Sequence, residues 1–229
     1  VIVTFDLFSA LTDSRSGASA FLGRLAAERG WAVSGEELYD CWDRHNKAAQ
    51  RTARPPVTFR DLSGASLLRA YDELGLAADG RVDVDADLTA LQASAADWPL
   101  WPDVAAGVAA VAARHRVGIL SNVDDDLART TRAHALVDPA LVLTSQRLGA
   151  YKPSPELYAA AAVAVAPEPL VHVAASGRDV RGALEAGLAT VRLVRPGHVV
   201  DPAGPVPPVE VADAGDLLRA VEEAAGAAG

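Results

Sequence analysis

Val1-Ile2-Val3-Thr4-Phe5-Asp6 opens the chain, and Leu7-Phe8-Ser9-Ala10-Leu11-Thr12-Asp13-Ser14 follows it. Val1 to Phe5 is short, β-branched and apolar, the pattern of a strand buried on both faces of a parallel sheet. A carboxylate at the C-terminal end of such a strand lies where open α/β sheets bind ligands. One acid after one strand also fits a loop residue or a helix cap. The reading therefore depends on three later segments.

The first is Val117-Gly-Ile-Leu120, another buried-strand run with Ser121 and Asn122 at its C-terminal tip. Asp124, Asp125 and Asp126 come next, in what should be a first helical turn, where acids suit the helix dipole. The second is Leu148-Gly-Ala-Tyr-Lys152-Pro153, with a helix entered near Ser154. The third reads as a strand (Leu170 to Val173), a Gly-containing turn and a helix with Asp179 near its start. Gly187 as C-cap and a strand from Thr190 to Val194 complete it.

Composition bounds the function. The chain has 229 residues, enough for one well-buried core and a smaller module. Half of it is hydrophobic, yet no apolar run approaches the ~20 residues of a membrane span. The amino terminus carries no basic region before an apolar stretch, so no secretory signal is expected. Cys41 is the single cysteine, which forbids an internal disulfide and fits a reducing cytoplasm. A net charge of −9 argues against nucleic acid or an anionic membrane as partner.

The chain divides into two parts. A helix is expected from Asp13-Ser14 to about Arg29, ended by Gly30. Ser34 with Glu37 three residues on is a capping box that opens a second helix, broken by Arg51 to Pro56. Thr58 to Leu76 and Asp87 to Ala95 read as further helices. No strand signal interrupts this region, whereas strands and helices alternate from about Pro102 onward. Asp97-Trp-Pro-Leu-Trp-Pro marks the return. The expected architecture is α/β: a doubly wound parallel sheet (residues 1–13 and 98–229) with a helical cap (residues 14–97) inserted after the first strand. Val199 to Pro208 reads as a loop and Asp213 to Ala225 as a last surface helix.

In this order, each at a strand exit, Asp6, Ser121, Lys152 and Asp179 resemble the four motifs of the haloacid dehalogenase superfamily: a nucleophilic Asp, a Ser or Thr, a Lys and a terminal acid. Phosphatases of that superfamily use D-x-D and Mg²⁺. Here the second position is Phe8, which cannot act as general acid, and Ala174-Ala175-Ser176 leaves Asp179 as the lone acid of the last motif. An aromatic after the nucleophile and no metal are normal in the 2-haloacid dehalogenase branch, which the segments SNVDDDL and YKPSPELY also resemble. That branch implies no cofactor, with Mg²⁺ only under a phosphatase alternative.

The resemblance implies a covalent mechanism. Asp6 attacks the halogen-bearing carbon, Lys152 keeps Asp6 ionised, and Asp179 orients Lys152 or the hydrolytic water. Ser121 holds the substrate carboxylate, and Asn122 receives halide together with a cap arginine. Arg44, two residues after Trp42, is the first choice for that arginine, with Arg51 and Arg54 next. Phe8, Tyr158 and Ser176 complete the expected substrate contacts. The histidines add little, His172 being one residue of a strand. Ala10, Ala174 and Ser176 depart from the branch, each removing a hydrogen-bonding group near the nucleophile. Two alternatives follow: another small-substrate hydrolase, including a phosphatase, or a catalytically weak binding protein of the same fold. The expected partner is a small molecule; a homodimer is compatible with the sequence.

Overall fold

The computed structural model describes residues 1–54, 56–77 and 82–227. Pro55, inside the expected Arg51–Pro56 break, lies outside the described residues.

Six parallel strands form the sheet: β1 (Ile2–Phe5), β2 (Arg116–Ser121), β3 (Val142–Thr144), β4 (Leu170–Ala174), β5 (Ala189–Leu193) and β6 (Val209–Val211), in the order β3-β2-β1-β4-β5-β6. The chain steps outward from β1 through β2 to β3, then returns to the other side of β1 for β4. The C-terminal end of β1 is therefore the topological switch point, where open α/β sheets form their crevice. Ile2 packs with Leu157 and Tyr158 on one face, while Val3 and Phe5 pack with Val108 and Val221 on the other. Helices α8 (Pro155–Val165) and α9 (Gly177–Glu185) cover the first face; α5 (Val104–Ala112) and α10 (Leu217–Ala227) cover the second. Burial on both faces explains the unbroken apolar reading of these strands. The short edge strands β3 and β6 are additions to the sequence reading. The last helix starts at Leu217, after a single 3₁₀ turn.

Between β1 and β2 lie α1 (Ser14–Arg29), α2 (Gly35–Gln50), α3 (Phe59–Glu73) and α4 (Val84–Ser94), the helical insertion expected after the first strand. Gly30 takes φ +68° and closes α1, a conformation that L side chains avoid. The cap of α2 is simpler than expected: Ser34 accepts from Glu37 N, and the reciprocal box is instead formed by Thr58 and Asp61 at α3.

Entry to and exit from the insertion run side by side. Thr12 bridges Leu100, Asp13 N donates to Pro99 O (2.9 Å) and Trp101 N donates to Leu11 O (3.1 Å). This pins the insertion above the end of β1. A second tie comes from Asp124, which accepts from Phe59 N (3.0 Å) and Arg60 N (2.8 Å) at the start of α3. The acid expected to serve its own short helix, α6 (Asp125–Thr130), thus satisfies orphan N–H groups of a cap helix.

Candidate active site

Asp6 follows β1 directly and caps a five-residue π-helical turn, Leu7–Leu11. Its Oδ2 accepts from Ser9 N (3.1 Å) and from Ser9 Oγ. Its Oδ1 accepts from Ser121 Oγ and Lys152 Nζ, both at 3.1 Å. Lys152 Nζ also donates to Asp179 Oδ2 (2.6 Å). The four residues expected from strand exits thus converge at one end of the sheet, beside the switch point. Ser9 was not foreseen. Its hydroxyl gives the Asp6 carboxylate a hydrogen bond of the kind that Ala10 cannot supply.

Lys152 is 3% exposed and sits between two carboxylates that are nearly as buried. Burial pushes the Asp6 carboxyl up, and Asp179 adds to that, but Lys152 and the Ser9 hydrogen bond outweigh both and hold it below the usual carboxylate value. Asp179 is likewise driven upward by burial and then pulled well down by Lys152 and His172.

Two carboxyls held below 3.8 bind fewer protons in the folded state than in the unfolded one. Their stabilisation is complete above pH 3.8 and is lost as pH falls through the folded values. Urea melts taken from about pH 6 to about pH 3 should therefore show stability falling with acid. Asp179→Asn should flatten that fall; an unchanged slope would remove Asp179 from the linkage.

His172 belongs to this network, contrary to the reading of it as an ordinary strand residue. Its Nδ1 lies 3.0 Å from Thr4 Oγ1, and its Nε2 lies 3.2 Å from Asp179 Oδ2 and 3.4 Å from Lys152 Nζ. Thr4 and His172 are paired in register on adjacent strands. They are the polar interruptions of IVTF and LVHVA, and that coincidence was the available signal. Tyr158 is fully buried and lies beneath the site, its hydroxyl 2.8 Å from Asp179 Oδ1. It braces the acid rather than lining the cavity expected to hold substrate.

Above Asp6 lies a cavity of about 560 Å³, roofed by the insertion. Phe8, Ser121, Asn122 and Ser176 line it together with Asp6, Lys152 and Asp179. Ser176 caps α9, its oxygen accepting from Asp179 N at 3.4 Å. Asn122 is already engaged: Nδ2 donates to Lys152 O (3.0 Å) and Gln50 Oε1 (2.9 Å), and Oδ1 accepts from Lys152 N (2.7 Å). Both amide hydrogens are spent, so Asn122 fixes the lysine's backbone and offers no free donor to a leaving group.

Arg44 does not reach the cavity. Its position on α2 turns it toward α3, where it is about half exposed and pairs with Glu73 (2.6 Å). Its guanidinium sits among Cys41, His45 and Glu73, the one group of metal-ligating side chains that converges among the described residues. Arg51 and Arg54 are not cavity residues either. Two other arginines line the cavity: Arg15 of α1, paired with Asp40 (2.7 Å), and from the core Arg178, beside Asp179, which reaches up to Lys47 O (3.0 Å) and Gln50 Oε1 (2.9 Å) at the end of α2.

A model of the haloacid dehalogenase-like hydrolases matches residues 2–187. The chain belongs to this family. Among solved structures, the defluorinating L-2-haloacid dehalogenase Rha0230 is 26% identical, with 95% of this chain and 93% of that chain covered at a TM-score of 0.80. The L-2-haloacid dehalogenase PA0810 is 28% identical over 97% and 98%, with a TM-score of 0.79. The L-2-haloacid dehalogenase from Xanthobacter autotrophicus, 22% identical over 96% and 98% with a TM-score of 0.78, shares the fold. No curated protein matches the chain by sequence. This HAD-like hydrolase is thus an α/β enzyme with a helical cap, and among its described residues no helix is long and apolar enough to cross a membrane.

Proposed function

We propose that this hydrolase releases halide from 2-halocarboxylates through an aspartyl ester at Asp6, without a metal. The observation that carries the reading is Phe8. It lines the cavity two residues after Asp6 and packs on Trp98, with ring centroids 5.4 Å apart. An alkoxide leaving a phosphate ester needs a proton from a general acid, whereas halide departs as a stable anion. The L-2-haloacid dehalogenases at 26% and 28% identity support the same choice.

In the first step an Asp6 oxygen bonds to carbon 2 and the carbon–halogen bond breaks, the halide leaving with the electron pair. Water then attacks the Asp6 carboxyl carbon. The acyl C–O bond breaks, one proton of the water passes to the departing alkoxide oxygen to give the 2-hydroxyacid, the other goes to solvent, and the carboxylate is restored carrying the water's oxygen. Lys152 keeps Asp6 ionised and offsets charge on the ester oxygen, and Asp179 aims Lys152. Ser121 helps hold the substrate. Residues 14–97 act as the cap over a core of residues 1–13 and 98–229. The reading includes a cytoplasmic setting, consistent with the unpaired Cys41.

Mg²⁺ requires about six oxygen ligands in octahedral geometry. The Ala175 side chain supplies none, and Asp179 is committed to Lys152, Tyr158 and His172. Halide release should accordingly be unchanged by chelator or by added Mg²⁺. The assay pairs a panel of 2-halocarboxylates with a generic phosphate ester. Phosphate release that appears with Mg²⁺, without halide release, would overturn the proposal in favour of a phosphatase.

A further inference from the structure

The cavity is large for a short acid. A three-carbon chloroacid displaces about six waters at roughly 30 Å³ each, a fraction of the 560 Å³ present. Volumes of this order house ligands of drug-like size. Much of the cavity's lining is aromatic: Phe8, Trp42, Phe59, Trp98 and Trp101 all belong to it. The three indole N–H groups are already used, donating to Ser63 O (3.1 Å), Ser94 Oγ (3.0 Å) and Ser9 O (3.1 Å). These rings have no donor left for a ligand and act there as apolar surface.

The lining also carries charge, and its cations differ. Arg15 pairs with Asp40 (2.7 Å) and Lys47 with Asp43 (2.5 Å). Arg178 has no carboxylate at ion-pair distance among the described residues; its partners are one carbonyl and one amide oxygen. Burial lowers its pKa, against the pull of Asp179, Asp43 and Asp6. A guanidinium has five N–H donors, of which two are used here, and its fork matches a carboxylate. Gln50 Oε1 receives both Arg178 and Asn122, so the arginine stands two hydrogen bonds from the tip of β2.

Resting on the function proposed above, we propose that Arg178 holds the substrate's carboxylate while the aromatic lining takes a bulky apolar group on carbon 2. The preferred substrates are then 2-haloacids with phenyl-sized side chains rather than two- or three-carbon acids.

The test compares 2-chloropropanoate, 2-chlorohexanoate and 2-chloro-3-phenylpropanoate on the wild type, Arg178→Met and Arg178→Lys. The wild-type kcat/KM should rise at least about tenfold along that series, since each buried methylene contributes. Arg178→Met should raise KM for the acids at least about tenfold with a smaller change in kcat, the mark of uniform binding. Arg178→Lys should recover part of the loss. Calorimetry supplies an arm that needs no turnover: 2-hydroxy-3-phenylpropanoate should bind the wild type and be lost in Arg178→Met. Binding of its neutral amide should be unaffected by the substitution. Equal losses for acid and amide would make Arg178 only a tie between core and cap and overturn its role. A kcat/KM that falls with side-chain size would overturn the substrate class. Absence of halide release with Arg178-dependent binding intact would refute the dehalogenase reading and leave the anion site standing.

Discussion

Asp6→Asn is expected to lower turnover on the order of a thousandfold or more while the protein stays folded, as loss of a nucleophile does in other covalent enzymes. Asparagine keeps the shape and still caps the turn that follows, but its amide oxygen carries no charge to attack carbon 2. With the amide oxygen kept on Ser9, its NH₂ faces Ser121 and Lys152, which lose an acceptor there, while Lys152 keeps its ion pair with Asp179 and the network is not left without its counter-charge. A single turnover in ¹⁸O-labelled water separates this role from a supporting one. If Asp6 attacks, the oxygen in the product comes from its carboxylate, and solvent oxygen enters the side chain when the ester is hydrolysed. The label should then be found in the peptide that contains Asp6, with little in the 2-hydroxyacid. Label appearing directly in product would mean that water attacks the substrate, and Asp6 would no longer be the nucleophile even if halide were released.

The sheet and insertion could be read in the sequence because their signals are local. Gly30 ends α1 where it was expected, and the apolar runs around residues 2–5, 117–120 and 170–173 are all strands. Strands β3 and β6, three residues each, are too short to leave a pattern. At the site, Asp6, Ser121, Lys152 and Asp179 were legible as residues that follow strands in a parallel sheet, a topology that fixes where their side chains meet. Residues that depend on packing between the two parts were not. The face that Arg44 presents is set by the crossing of α2 and α3, which the sequence does not state. Arg178 was hidden by its neighbour, since the motif drew the reading to Asp179. Ser9 is not legible from the spacing of the motif, because it is the π-helical turn that brings position 9, rather than position 10, back to the Asp6 carboxylate.

Lys152→Met should be severe for a reason that concerns stability as much as chemistry. The ammonium is the ion-pair partner of both Asp6 and Asp179, whose side chains are 12% and 4% exposed. Removing one member of a buried ion pair leaves an uncompensated charge and costs about 3–5 kcal/mol. Two carboxylates are stranded here. Without the cation, burial and their mutual repulsion should raise both carboxyls above their unfolded values, and the sign of the acid dependence reverses. The variant should gain stability relative to the wild type as pH falls from about 8 to about 5, because its folded state now takes up protons. Halide release should drop on the order of a hundredfold or more, since the nucleophile and the ester oxygen lose their counter-charge. The double variant Lys152→Met, Asp179→Leu replaces a buried pair by apolar groups and should recover much of the lost stability without recovering activity. Urea melts of the two variants at both pH values decide the matter. A single variant as stable as the wild type at about pH 8 would show that Lys152 does not hold these carboxylates together.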